Sequence, residues 1–251
     1  MFFKPSKSAL RLLALFLISA SSVFVHAEEK TVSPPFVVVL ERAQGGDILS
    51  QLIVGTMYEE RGSYTNAFRW YKEAAQKGDA SGQFKLGLLH AQGAGVSRDL
   101  ITAVKWFELS AKQGFPAAQY NLGVCWEKGL GTTNRSYVEA LKWYQLAAEQ
   151  GDAFSQKALG VFYEKGYGVK PDLAEAYKWY ALASANGVID GETLRKNLVA
   201  KFKPEELAAA QKRFSDYAAA QAANSTQPPP RLPVEVNAKA PTKAKTKDFL
   251  D

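Results

Sequence analysis

Residues 151–187 read GDAFSQKALGVFYEKGYGVKPDLAEAYKWYALASANG. The stretch parses as a helix, a loop carrying Gly166 and Gly168, and a second helix. Glycine reaches backbone conformations that other residues avoid, so the two glycines break the first helix. Asp172 is placed to cap the second by accepting from its free N–H groups, and Gly187 to end it.

Working outward, the same pattern recurs upstream. Lys105-Trp106-Phe107 and Lys142-Trp143-Tyr144 repeat Lys178-Trp179-Tyr180, and Arg69-Trp70-Tyr71 is the earliest copy. The tryptophans Trp70, Trp106, Trp143 and Trp179 are spaced by 36, 37 and 36 residues. In step with them run Gly55, Gly87, Gly123 and Gly160, the pairs Gly93/Gly95 and Gly129/Gly131, and Gln51, Gln83, Gln119 and Gln156. Such self-similarity marks two-helix units, each with an apolar face that it cannot cover alone, so that copies must stack. Gly87, Gly123 and Gly160 sit mid-helix, where glycine costs about 1 kcal/mol against alanine. Their recurrence predicts a close approach of the second helix there. Trp and Tyr of that helix are expected to fill the gap to the next unit.

These residues resemble the Sel-1-like repeat, an extended relative of the tetratricopeptide repeat. Residues 151–187 match its pattern nearly throughout, at Leu159, Gly160, Tyr163, Gly166, Gly168, Val169, Asp172, Ala176, Trp179, Tyr180, Ala183 and Gly187. Residues 78–113 carry His90 in the tyrosine slot. Residues 114–150 carry Trp126 there and lack the valine and the aspartate, while residues 46–77 lack the glycine loop. The resemblance implies an all-α fold, a right-handed α-solenoid of stacked antiparallel helix pairs. It also implies a protein that binds or scaffolds other proteins. In such superhelices the fifth and ninth positions of each first helix face the concave groove. Carried over by register, these are Leu52, Phe84, Tyr120 and Lys157, and Thr56, Leu88, Val124 and Val161. Most are apolar, which suits an extended peptide or a partner helix, unless they bury against neighbouring helices.

The flanks extend this organisation. Residues 28–45 read as an N-terminal capping segment, because Glu41-Arg42-Ala43-Gln44 echoes Glu73-Ala74-Ala75-Gln76 ahead of a Gly-Asp pair. Residues 188–223 read as two capping helices, Glu192–Phe202 and Pro204–Ala222. Leu194, Leu198, Phe202, Leu207, Phe214 and Tyr217 would cover the last repeat. Residues 224–251, with Pro228, Pro229, Pro230, Pro233, Pro241 and Lys243/Lys245/Lys247, show no periodicity and read as a disordered tail.

Residues 1–27 read as a cleaved signal peptide: Lys4, Lys7 and Arg11 without an acid, then the apolar run Leu12 to Ile18, then Val25-His26-Ala27 as a cleavage site. No cysteine follows that site, which argues against a lipoprotein. A periplasmic or secreted protein is expected. The net charge of +6 divides into +3 in the leader, +2 in the tail and so +1 in the body (6 − 3 − 2). The folded surface is therefore not a nucleic-acid footprint, although the tail would attract an anionic envelope surface weakly. At 47% hydrophobic and 22% charged, the chain is too polar for a multi-span membrane protein.

Catalysis has little to work with. Cys125 is the only cysteine, and its repeat counterparts Met57, Leu89 and Phe162 are apolar, so it reads as a small buried hydrophobe rather than an inter-chain disulfide. His90 reads as a packing ring with one hydrogen bond. No catalytic residue, metal site or cofactor is expected. The residues at the ends of the first helices, Glu59-Glu60, Glu127-Lys128 and Glu164-Lys165, read as solvated. The reading is a scaffold or adaptor holding a protein segment. Its alternatives are a binder or hydrolase of cell-wall or β-lactam-type ligands, as the resemblance to cysteine-rich relatives suggests, and a homomeric structural protein. This chain lacks the paired cysteines of those relatives.

Overall fold

The computed structural model describes residues 34–224, with side chains from 36 to 223. The expected leader and all but the first residue of the expected tail lie outside them. Among the described residues there are eleven α-helices and no strand: α1 Pro34–Gln44, α2 Ile48–Glu60, α3 Tyr64–Gln76, α4 Ala80–Gln92, α5 Leu100–Lys112, α6 Pro116–Lys128, α7 Tyr137–Glu149, α8 Ala153–Lys165, α9 Leu173–Ala185, α10 Gly191–Val199 and α11 Pro204–Asn224. Thus α2/α3, α4/α5, α6/α7 and α8/α9 are the helix pairs of the four repeats.

Local sequence starts and stops these helices. Asp99 accepts from the backbone N–H of Ile101 and Thr102, both at 3.0 Å, at the head of α5, and Asp172 accepts from Glu175 N–H at 2.9 Å at the head of α9. The first helices are capped in the same way, a role the sequence reading did not assign. Asp47, Asp79 and Asp152 accept from Ser50, Gly82 and Ser155 at 2.7–2.8 Å. At α6 Phe115 occupies the cap position without a side-chain bond, and Pro116 begins the helix, where its missing N–H costs nothing. The C-terminal pair differs from expectation: α10 ends at Val199 rather than Phe202. Pro204 disfavours helical backbone at the residue before it, and the chain turns there before α11 begins.

The chain forms two compact units, one ending at Ser136 and one beginning at Tyr137. In the first, each of α1 to α5 packs on the next. The glutamine series carries much of this contact. Buried Gln51, Gln83 and Gln119 each donate Nε2–H to the backbone carbonyl of Ala43, Ala75 and Ala111, at 3.2, 3.4 and 3.1 Å. Each bond ties a first helix to the end of the helix before it and satisfies polar groups that burial would otherwise leave unpaired. The second glycine of each loop makes another tie. A Cβ on Gly95 would lie 2.4 Å from the Tyr64 carbonyl carbon, and one on Gly131 would lie 2.2 Å from the Leu100 oxygen. With φ near +70° as well, only glycine fits either position.

In the second unit α7 packs on α8, α8 on α9, and both α10 and α11 on α9. Gln156 donates to Ala148 at 3.1 Å, and Gly168 approaches Tyr137 as its counterparts do theirs. Leu198 and Ala210 join Ala176, Tyr177, Tyr180 and Ala181 in one buried cluster, with Leu194, Phe202, Leu207 and Phe214 against it. Tyr217 meets Trp179 edge-on at 5.7 Å. Polar contacts hold the same covering: Arg213 to Asp172 at 2.8 Å, Lys201 to Glu164 at 2.6 Å and Arg195 to the Tyr177 hydroxyl at 2.9 Å.

Gly55, Gly87 and Gly160 do mark close approaches, but the partner corrects the expectation. A Cβ on Gly55 would lie 2.5 Å from the Tyr71 ring, one on Gly87 2.7 Å from Phe107, and one on Gly160 2.3 Å from Tyr180. The aromatic residue after the tryptophan fills the gap, and it does so within its own helix pair rather than toward the next. Trp70, Trp106 and Trp143 are only half-buried; Trp179 alone is buried.

Candidate functional site

Each first helix begins at the residue the register requires, so Leu52, Phe84, Tyr120 and Lys157 are fifth and Thr56, Leu88, Val124 and Val161 are ninth. All eight are half-buried. Several are engaged within the fold. In the first unit Leu52 packs against the buried cluster formed by Ala67, Tyr71 and Leu89. The Thr56 hydroxyl lies 3.1 Å from the Tyr71 hydroxyl. The Phe84 ring lies 5.3 Å from Phe115 and 5.9 Å from Phe107. Beside them, Leu88, Tyr120 and Val124 complete a strip over α2, α4 and α6, and their neighbours Val54, Leu86, Leu89, Leu122 and Cys125 are buried. In the second unit Lys157 pairs with Asp190 at 3.1 Å, and Val161 packs on the cluster around Tyr180. The open crevice in the first unit lies elsewhere. It is lined by Arg98, Asp99, Ile101 and Gly131 to Thr133, and none of the eight residues borders it.

Two helix-end glutamates overturn the solvated reading. Tyr71 donates its hydroxyl to Glu59 at 2.5 Å, and Lys85 of the next first helix reaches the same carboxylate at 3.0 Å. Tyr180 donates to Glu164 at 2.8 Å, and Lys201 reaches it at 2.6 Å. Burial opposes the charge on Glu59, but the bonds from Tyr71 and Lys85 outweigh it and hold the carboxyl below its usual range. Glu164 follows the same balance, with Lys201 and Tyr180 as donors. Burial, reinforced by the glutamate, pushes both tyrosine hydroxyls well up. The signal available in the sequence was pairing by register. Glutamate stands twelfth in a first helix where tyrosine stands eighth in the second, and Ala91 stands where Phe107 does.

Cys125 is buried, and burial pushes its thiol up to about 11, which makes it a poor nucleophile and a poor candidate for an inter-chain disulfide. His90 packs edge-on against Phe68 at 5.4 Å. Its buried Nδ1 has no hydrogen-bond partner, contrary to the expected bond at this ring, and burial lowers its pKa.

With helix pairs, glycine contacts and caps in place, the class is an all-α repeat protein built of stacked helix pairs. The Sel1 repeat model matches residues 51–79, 80–115, 116–152 and 153–188, more than half of the chain, and the chain belongs to that family. A Sel1 repeat protein from Oxalobacter formigenes, known from its crystal structure, is similar at 29% identity and a TM-score of 0.57, with 74% of each chain covered. The crystal structure of c5321, a protective antigen present in uropathogenic Escherichia coli strains and displaying an SLR fold, is similar at 25% identity and a TM-score of 0.51. That match covers 83% of this chain and 52% of the antigen, so this chain spans about half of the antigen's length. Comparison with curated proteins finds no match. Sel1 repeats are generally scaffolds for protein–protein interaction and typically not catalytic.

Proposed function

We propose that this protein is an exported, non-enzymatic adaptor that holds a segment of a partner protein along the first-helix face of its repeats, in the periplasm or outside the cell. One observation carries the reading. Across α2, α4 and α6 the fifth and ninth side chains stay half-exposed and largely apolar, while Val54, Leu86, Leu89 and Leu122 on the same helices are buried. A strip of partly wetted apolar side chains gains free energy when a peptide or helix covers it. The leader read in residues 1–27 supports export, and the basic tail supports a weak contact with an anionic envelope surface. Nucleic acid is not a partner on this reading, because the body of the chain is close to neutral.

Leu88→Glu and Val124→Glu test it. Crosslinking in envelope extract should give a discrete adduct with the wild-type protein and none with the double variant, at an unchanged thermal transition. A persisting adduct refutes the groove. Turnover of a chromogenic β-lactam by the pure protein, abolished by a point change, would refute the non-enzymatic part.

A further inference from the structure

The second unit carries one constellation twice. Glu175, Lys178 and Trp179 stand third, sixth and seventh in α9, and Glu139, Lys142 and Trp143 hold the same places in α7. In each helix the lysine pairs with the glutamate one turn before it. The first unit has no such glutamate, since Asn66 and Thr102 stand third in α3 and α5. On α9 the constellation is the seat of a helix. α11 lies across it, and its Ala210 joins the buried cluster of Ala176, Tyr177 and Ala181. Arg213 of α11 reaches Glu175 at 3.4 Å and the adjoining cap Asp172 at 2.8 Å. One turn on, Tyr217 meets the Trp179 ring at 5.7 Å. The Lys178 ammonium lies over both rings, 4.3 Å from Trp179 and 4.6 Å from Tyr217. A ring face attracts a cation more strongly as water is excluded, and under α11 Lys178 is only 7% exposed. On α7 the matching surface meets solvent. Val138, Lys142, Gln145 and Leu146, which share one face of that helix, are all exposed, and Trp143 is half-buried.

We propose that this face of α7 is a docking seat for a helix of a partner protein that presents an arginine and, four residues on, an aromatic ring, as α11 presents Arg213 and Tyr217 to α9. Residues four apart lie on one side of a helix, so a single turn supplies both groups. The arginine pairs with Glu139, the ring lies against Lys142 and Trp143, and Val138 and Leu146 are covered to either side. Two differences from α9 set the fit. Ser136 precedes α7 where Asp172 precedes α9, so the arginine has Glu139 as its one carboxylate of this set. Gln145 stands where α9 has the small, buried Ala181, so the partner helix sits farther out than α11 does. The seat is on a second helix, and the proposal is independent of the strip on α2, α4 and α6.

A labelled peptide with the sequence of α11, Pro204–Asn224, is the probe, titrated into the full chain and followed by fluorescence anisotropy. Saturable binding of one peptide per chain is expected. Glu139→Lys should weaken it about tenfold or more, and a peptide carrying Arg213→Glu should bind that variant again, because the two charges are exchanged. Gln145→Ala should tighten binding several-fold by letting the helix approach. Neither change should move the thermal transition, since Gln145 is exposed and Glu139 half-exposed. A wild-type chain that takes up no peptide overturns the proposal. So does binding that Glu139→Lys leaves unchanged, which would put the peptide on α9 in exchange for α11, and so does a loss that the reversed peptide fails to rescue.

Discussion

In the first repeat Tyr71 lies over Gly55 and its hydroxyl reaches Glu59, whereas in the second Phe107 lies over Gly87 and the place of Glu59 is taken by Ala91. The two repeats share the ring against the glycine and differ in the polar bond above it. Packing of the ring is therefore the common requirement. The hydroxyl and the carboxylate occur together or not at all in this pair, as expected if a buried hydroxyl without an acceptor is costly. In the first repeat the bond does more than satisfy the tyrosine. Glu59 also receives Lys85, so one carboxylate joins a helix pair internally and links it to the next repeat. Tyr180, Glu164 and Lys201 reproduce the device in the second unit, with the lysine supplied by the covering segment instead.

The strongest way to break the comparison is to remove the ring. Tyr71→Ala and Phe107→Ala should each cost about 3–5 kcal/mol, the range for deleting a buried aromatic, measured by denaturant unfolding. Equal losses would confirm that the ring, not the hydroxyl, dominates. Filling the glycine side of the contact should come next. Gly160→Ala gains helix propensity but places a methyl 2.3 Å from the Tyr180 ring, so a net loss of about 1–3 kcal/mol is expected. A stabilised variant would show that the ring moves freely.

Exchanging the polar pair sharpens the contrast. Phe107→Tyr alone should destabilise by about 1–2 kcal/mol by burying an unpaired hydroxyl, and Ala91→Glu added to it should recover most of that loss, as a double-mutant cycle would report. Independent effects of the two changes would mean that the pairing by register is accidental. A smaller effect is expected from pH. The Glu59 carboxyl is held below its ordinary value, so its contribution is present above the unfolded-state value and is lost as pH falls through the folded one. Tyr71→Phe removes one donor, so the acid-side fall in melting temperature should shrink relative to wild type. The least effect should come from Cys125: at neutral pH iodoacetamide should leave it unmodified until the chain unfolds, because its thiol is buried and titrates near 11.

Much of this architecture was legible in the sequence. The series of Trp, Gly and Gln at fixed spacing has a single physical reading, since only units that bury against copies of themselves need the same residues in the same places. Asp172 was legible as a cap because a cap is a local event within three residues. Asp47, Asp79 and Asp152 satisfy the same rule and were readable from the same signal. The candidate groove was legible only as positions. Register gives the face on which Leu52 or Val161 lies, but whether a neighbour already covers it depends on residues far along the chain.

The sequence by itself thus determined the repeat and its helix pairs, because turn chemistry and apolar periodicity act over a few residues. Only the tertiary structure decided which ring sits on each glycine, and that Glu59 and Glu164 are half-buried acceptors rather than solvated helix ends. Each of these depends on which side chains meet across helices, and separation along the chain carries no record of that distance.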